Sequence, residues 1–321
     1  MPAAFSVRRL VTAAAAATAF TIAGCKGETG TDPGAAFPYD IVLERRDGPS
    51  GPPDLYVLDL GTGTERRLFA TTAIGGMHPS GSPDGTRVAF VRMDNEFNSE
   101  IFAVDADDGG GLTNLSNHAE IDIMPAWSPA GGRVAFVTDR AGFQDIFVVN
   151  TDGTGLRRIT MVDPAPAVTT EWWPAWSPSS FPGGQVIAYS STISGTADIW
   201  TIPVDVTPAT PMRRTGTLDT DLHPTISPDG TRIAFERHDV NTGEVDIVIL
   251  TLGTSALQTV RLPGLQLSPA WSPDGSLIAF ASNHEGDEDL EIYTMSADGT
   301  DVRRRTTNGL FDQRPTWRLR P

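Results

Sequence analysis

The pentapeptide Pro125-Ala126-Trp127-Ser128-Pro129 is one copy of an element that occurs six times along this chain. Its leading prolines, which we call the anchor prolines, are spaced 46, 49, 50, 45 and 46 residues apart. The other five are Pro79, Pro174, Pro224, Pro269 and Pro315. Self-similarity at a period of roughly 20 to 50 residues indicates a repeat architecture, in which each repeat is one supersecondary unit.

Each repeat contains the same four short segments of strand-forming residues. A turn such as Pro83-Asp84-Gly85 follows the anchor, and its residue types suit a tight reversal of the chain. An alternating apolar run such as Val88–Val91 comes next. An acid-led strand such as Glu100–Phe102 and a basic strand such as Leu156–Ile159 complete the unit. Four strands in a unit of this length, without helical periodicity, predict one blade of a β-propeller.

The two ends of the chain complete one blade between them. The last anchor, Pro315–Trp317, has no second, third or fourth strand after it. The segments Asp40–Glu44, Asp54–Val57 and Glu65–Leu68 supply those three strands from the N-terminal side. We therefore predict an all-β fold over residues 39–321, a six-bladed propeller of four-stranded blades. It is closed by a C-terminal inner strand and three N-terminal strands, which hides the sheet edges.

Residues 1–24 have the pattern of an export signal. Arg8 and Arg9 precede an apolar stretch that is shorter than the roughly 20 residues a membrane-spanning helix needs. The stretch ends in Ile22-Ala23-Gly24-Cys25, which resembles the lipobox of bacterial lipoproteins and implies lipidation of Cys25. Residues 25–38 are rich in Gly, Thr and Pro, a composition typical of a flexible tether.

These features predict a lipoprotein of the cell envelope that faces the periplasm. Its contact with the membrane is expected only through the lipid anchor at Cys25. The residue after this cysteine is Lys26 rather than Asp. By resemblance to the sorting of enterobacterial lipoproteins, this implies the outer membrane.

The charge and the motifs of the chain exclude several classes of function. With 40 acidic and 24 basic side chains the net charge is −16, which repels nucleic acid and anionic membrane surfaces. A single cysteine excludes a disulfide framework. The sequence has no phosphate-binding loop, dinucleotide fingerprint, Gly-x-Ser-x-Gly elbow or His-Glu-x-x-His motif. The absence of these motifs favours a protein without catalytic activity, and we expect the protein to be a monomer.

The repeat elements resemble those of a known family. Pro269–Gly275, Ile233-Ala234-Phe235 and Asp145-Ile146-Phe147 are similar to the WD-like repeats of TolB-type β-propellers, and the resemblance covers nearly the whole mature chain. TolB carries an α/β domain before its propeller, whereas residues 25–38 supply only a tether. The resemblance implies a cell-envelope binding module with a protein or peptide partner. Membership of a Tol-Pal-like system stays open.

Two sets of residues precede the anchor prolines, where the inner strands enter the channel. The inner strands enter the channel from one face of the propeller, which we call the variable face. This face carries the loops between the second and third strands and the connections between blades. Binding residues usually lie on such loops. The minus-three set, three positions before each proline, is Gly76, Asp122, Glu171, Asp221, Gln266 and Asp312. The minus-one set, immediately before it, is His78, Met124, Trp173, His223, Ser268 and Arg314.

Because side chains alternate between the two faces of a strand, we expect both sets to face the channel. They would form a ring of four carboxylates, two histidines and one arginine at its mouth. Of the adjacent tryptophans, Trp173 is a candidate contact and Trp172 is expected in the core. The ring could hold a divalent cation, a cationic peptide or a small ligand, or it could be a solvated entrance.

Two functions follow from this ring. We predict a non-catalytic module that recognises an envelope protein or peptide through its variable, acidic face, with no certain cofactor. The alternative is a metal-dependent lyase or hydrolase that acts on saccharides at the channel mouth. Such an enzyme would need a divalent cation bound there.

Overall fold

The computed structural model describes residues 37–48, 50–69, 75–93, 98–160, 169–286 and 288–320. These residues form 24 β-strands in six four-stranded antiparallel sheets. Within these ranges there is no helix long and apolar enough to cross a membrane. The predicted export signal, Cys25 and residues 26–36 lie outside the described residues.

The strands follow one another in a regular order around the ring. The N-terminal strands are β1 (Tyr39–Arg46), β2 (Pro53–Asp59) and β3 (Glu65–Arg67). Blade 1 contains β4 (Met77–Gly81), β5 (Arg87–Met93), β6 (Ser99–Asp105) and β7 (Thr113–Asn114). Blade 2 contains β8 (Asp122–Trp127), β9 (Arg133–Thr138), β10 (Asp145–Asn150) and β11 (Arg157–Arg158). Blade 3 contains β12 (Glu171–Trp176), β13 (Val186–Ser191), β14 (Asp198–Pro203) and β15 (Met212–Arg213). Blade 4 contains β16 (Thr220–Ile226), β17 (Arg232–His238), β18 (Val245–Thr251) and β19 (Ala256–Val260). Blade 5 contains β20 (Gln266–Trp271), β21 (Leu277–Ser282), β22 (Glu291–Ser296) and β23 (Arg303–Arg304), and the last strand is β24 (Phe311–Leu319).

Blade 6 joins the two ends of the chain. Its strand order is β24-β1-β2-β3, and β24 runs antiparallel to β1 with Tyr39 opposite Leu319 and Arg46 opposite Phe311. The predicted all-β, six-bladed propeller, closed by one C-terminal and three N-terminal strands, is therefore confirmed.

The hydrophobic core is divided among the six interfaces between neighbouring blades. The second strand of each blade serves two interfaces, because its side chains alternate. In β5, Val88 and Phe90 pack against blade 6, whereas Ala89 and Val91 pack against blade 2. The anchor tryptophans occupy the same interfaces and are 6 to 9% exposed, which explains their recurrence by packing; they are Trp127, Trp176, Trp271 and Trp317.

The arginines of the outer strands pair with the acids that lead the third strands. Arg158 lies 2.8 Å from Asp145, Arg213 lies 2.7 Å from Asp198, and Arg304 lies 3.0 Å from Glu291, measured between nitrogen and oxygen. Each arginine is 19 to 39% exposed. Solvent screening therefore makes the contribution of each pair modest. The repeated arginines are explained by this pairing and need no ligand.

Candidate binding site in the channel

Every inner strand has an irregularity at its anchor proline. In β8 the pairing with β9 shifts register between Ile123 and Ala126, and the other blades show the same kind of shift. The residue just before the proline has a φ of 48 to 56° in all six blades, although none of these residues is glycine. Left-handed backbone at such residues costs of order 1–2 kcal/mol each. The surrounding sheet therefore holds a strained conformation at six equivalent positions.

This irregularity turns the minus-one side chains into the channel. Together with the anchor prolines they line a cavity of about 210 Å³ in the half of the channel nearer the variable face. The residues brought together are His78, Met124, Trp173, His223, Ser268 and Arg314. A second cavity of about 360 Å³ lies at the opposite end, among the prolines of the Pro-Asp-Gly turns. The minus-one set is thus assembled as a group, and its role in binding stays a prediction.

The minus-three set is not in the channel, and the structure corrects its predicted position. Asp122, Asp221, Gln266 and Asp312 are completely buried and Glu171 is 2% exposed. An extra residue in a strand reverses the alternation that follows it, so positions two apart across the bulge no longer share a face. Of the expected ring, the channel wall therefore carries the two histidines, the arginine and Trp173 but not the four carboxylates.

Three of the buried carboxylates have arginine partners inside their own blade. Asp122 accepts two hydrogen bonds of 2.8 Å from Arg140. Asp221 accepts two of 2.8 Å from Arg237. Asp312 accepts bonds of 2.6 and 2.7 Å from Arg45 and ties β24 to β1. These charge-assisted pairs satisfy the buried charges, so a structural role is sufficient to explain the three acids.

The other members of the set are held differently. Gln266 donates from its side-chain amide to the backbone carbonyls of Leu262 and Gly264, at 3.1 and 2.8 Å. Glu171 has no bidentate arginine partner among the described residues, and burial raises the pKa of its carboxyl to about 7. Gly76 in blade 1 stands where an added Cβ would lie 3.0 Å from side-chain atoms of Leu55 and Phe90.

Trp173 reaches across the channel and contacts residues of three other blades. Its ring centroid lies 3.4 Å from that of His223 and 5.2 Å from that of His78. The guanidinium carbon of Arg314, which comes from the opposite blade, lies 5.5 Å from the same ring. The indole thus occupies the space between the two histidines. Trp172 instead donates from Nε1 to Gln144 at 2.6 Å.

Two buried glutamates behind the channel wall were not predicted from the sequence. Glu44 is completely buried and accepts hydrogen bonds of 3.1 and 3.0 Å from Arg314 and one of 3.1 Å from the backbone N–H of His78. Glu236 is 2% exposed, its Oε1 lies 2.8 Å from Nδ1 of His223, and it accepts the backbone N–H of Ser268. Each glutamate therefore holds one channel side chain of its own blade, Arg314 or His223. It also binds the backbone N–H of the left-handed residue in the next blade, His78 or Ser268.

A sequence signal for these glutamates exists. Glu44 and Glu236 directly follow the apolar triplets of their strands, at a position where other blades have Val91, Val137 and Ala281. A charged residue at a buried position of a repeat indicates a special partner. Burial alone would raise the pKa of the Glu236 carboxyl, but His223, His238 and the Ser268 N–H lower it to about 2.

The charged groups at the cavity are arginines paired with a buried glutamate, since Arg314 and Arg46 both contact Glu44. Burial, followed by the charges of Arg314, His223 and Arg46, lowers the pKa of His78 well below its usual value. Among the described residues, no three His, Cys, Asp or Glu side chains stand close enough to hold a metal ion. The chemistry of this wall is therefore that of hydrogen-bond donors and an aromatic ring.

Comparison with known proteins identifies the class to which this ring of blades belongs. Residues 48–174 and 217–319 match the TolB beta propeller domain family, PD40. The chain belongs to this family.

The individual relatives agree with this assignment. A TolB homologue of Chlorobium luteolum is 31% identical over 216 residues, which is 67% of this chain and 46% of that protein. TolB from Acinetobacter baumannii superimposes with a TM-score of 0.72 at 19% identity, over 87% of this chain and 66% of that one. A putative TolB from Agrobacterium tumefaciens gives a TM-score of 0.65 at 20% identity, over 88% and 99%. The chain spans less than half the length of the curated TolB homologue.

Proposed function

We propose that this protein is a non-catalytic binding module of the cell envelope that recognises a protein or peptide partner through its variable face. In this proposal it acts as a monomer, faces the periplasm and is held at the outer membrane by a lipid on Cys25. Membership of the TolB propeller family supports an envelope role.

The observation that carries the proposal is the distribution of exposed apolar side chains. Of the eleven large apolar residues that are exposed among the described ones, six lie at the variable face. We call them the apolar crown: Met93, Ile121, Phe143, Leu218, Val240 and Leu265. Exposed apolar side chains on the face that carries the variable loops are candidates for contact with another macromolecule.

The polar residues between the members of the crown indicate the chemistry of the partner. Glu120, Glu244, Glu285 and Glu288 are exposed in the loops of the same face. A rim of acids around apolar contacts favours a partner that presents apolar side chains together with basic groups, and attraction to the rim should weaken with salt.

Site-specific photo-crosslinking in cells tests the proposal. A photoreactive amino acid would replace Leu218, which is 79% exposed, or Val240, which is 63% exposed, on the variable face. The matched control is Val206, which is 52% exposed and lies in a loop of the opposite face. We expect one defined adduct from positions 218 and 240, reduced by high salt, and none from position 206. Equal adducts from all three positions, or none at all, would contradict the proposal.

The membrane anchor is tested separately. Replacing Cys25 by serine should abolish labelling with radioactive palmitate and release the protein from the membrane fraction. Retention of the label in Cys25→Ser would show that the lipid is attached at another residue.

A further inference from the structure

We propose that the channel cavity is a binding site for a carboxylate, either a small organic acid or the C-terminal carboxylate of a peptide. The residues that would hold it are Arg314 and His78, with Trp173 as the apolar wall. This inference does not depend on the protein-binding role of the variable face.

The first argument is the set of buried nitrogen atoms that have no partner among the described residues. They include Nε of Arg314 and Nδ1 of His78. These two side chains come from blades 6 and 1, yet both lie against Trp173 and line the same cavity. Nε of Arg314 is a donor, and Nδ1 of His78 is a donor in one tautomer of the imidazole. A buried donor without an acceptor is costly, so a ligand that supplies acceptor oxygens would recover that cost.

The second argument is the local charge. The guanidinium of Arg314 lines the cavity, and a second guanidinium, that of Arg46, also contacts Glu44, with a nitrogen 2.7 Å from the glutamate oxygen. The nearest carboxylates, Glu44 and Glu236, are buried behind the wall and already accept hydrogen bonds. Arg314 and one tautomer of His78 thus present hydrogen-bond donors to the cavity.

The third argument is size and polarity, which favour a carboxylate over a phosphate. The cavity of about 210 Å³ is smaller than the roughly 300 to 1,000 Å³ of sites for drug-sized ligands. Six prolines and Trp173 give it a largely apolar lining, which suits a short carbon chain. Glu44 and Glu236 lie directly behind the donors, so a dianion would face more repulsion than a monoanion would.

Calorimetric titration of the full-length protein tests the proposal with matched ligands. The probes are acetate, N-acetyl-alanyl-alanine with a free carboxylate, and the same dipeptide with a C-terminal amide. We expect binding of a carboxylate and at least tenfold weaker binding of the amide, since a charge-assisted hydrogen bond is lost. Preference for acetate would identify a small organic acid as the ligand. Preference for the dipeptide would identify the C-terminal carboxylate of a peptide. Failure of every carboxylate to bind, or equal binding of the amide, would overturn the proposal.

Substitutions locate the site. Arg314→Gln should weaken carboxylate binding at least tenfold, and Arg314→Lys should retain most of it because the positive charge remains. The matched control is Arg261→Gln, which removes the same charge from a side chain that is 77% exposed on the outside of blade 4. Equal affinity of Arg314→Gln and wild type would refute the assignment. If Arg314→Gln fails to fold, the comparison of the carboxylate and amide ligands in the wild type still tests whether the protein binds a carboxylate. Crosslinking from position 218 tests the protein-binding role, so failure of that proposal can be distinguished from failure of the carboxylate site.

Discussion

Replacement of Asp312 by alanine tests how the ring is closed. Asp312 lies in β24 and is completely buried, and Arg45 opposite it in β1 is 7% exposed. Their two hydrogen bonds of 2.6 and 2.7 Å join segments 267 residues apart. Burial alone would lower the pKa of Arg45, yet its hydrogen bonds to Asp312 and Glu65 raise it further above its usual value.

The magnitude follows from what remains after the substitution. Removing one partner of a buried ion pair costs about 3–5 kcal/mol, because the other charge stays buried without compensation. Arg45 retains Glu65, which accepts a hydrogen bond of 2.6 Å and is 24% exposed. We therefore expect a loss at the lower end of this range, about 3 kcal/mol in the free energy of unfolding. That loss corresponds to a decrease of about 5 °C in melting temperature, because the unfolding entropy of roughly 280 residues is about 0.6 kcal/mol/K.

The assay is urea-induced unfolding of the full-length protein followed by tryptophan fluorescence, together with thermal melting. Asp205→Ala serves as the control, because its pair with Arg133 is 59% exposed on the acidic side and should contribute less than about 1 kcal/mol. The double variant Arg45→Met/Asp312→Leu should return to within about 1 kcal/mol of wild type, since no charge is left buried. A loss below about 1 kcal/mol in Asp312→Ala, or a double variant as unstable as the single one, would refute the reasoning.

Two further predictions concern single positions of the inner strands. Because burial raises the pKa of Glu171 to about 7 from an ordinary 4.5, the folded protein binds a proton more tightly there than the unfolded chain does. This stabilisation is present below pH 4.5 and is lost as the pH rises through 7, by up to about 3 kcal/mol. Glu171→Gln should therefore lose less melting temperature between pH 5 and pH 8 than wild type, and identical pH profiles would contradict the burial argument. Ser268 has a φ of 53°, so Ser268→Gly should leave stability unchanged or raise it by up to about 1 kcal/mol. Ala270→Gly, two residues further along the same strand, should lower stability by about 1 kcal/mol, and a similar loss in both variants would show that the bulge is not strained.

The architecture could be predicted because it rests on local patterns that repeat. Each Pro-Asp-Gly turn and each alternating run specifies a strand and its neighbour. Closure of the ring could be predicted because the one strand left over at the C-terminal end and the three at the N-terminal end add up to one four-stranded blade. That count predicts Asp40–Glu44 and Pro315–Trp317 in one blade, and in the structure Ile41 pairs with Trp317.

The channel wall could be predicted only in part, because the regular alternation of side chains does not reveal the bulge at each anchor proline. Asp122 and Met124 share a face in a regular strand, but the bulge at Pro125 separates them. A proline in the middle of a strand, repeated in every blade, was the available sign, since proline cannot donate to the ladder. Glu44 and Glu236 were missed because their partners come from neighbouring blades and not from nearby sequence.

The register of blade 6 also determines how the ring responds to mechanical force. Both described ends of the propeller leave β1 and β24 at the same end of the pair, where Tyr39 faces Leu319 and the N–H of Arg320 donates to the carbonyl of Pro38 at 2.8 Å. Tension applied between these two ends loads the hydrogen bonds of the pair one after another, as in a zipper, and does not load them together in shear. The seam that the buried Arg45–Asp312 pair stabilises is therefore the part of the ring that yields first when its two ends are pulled apart.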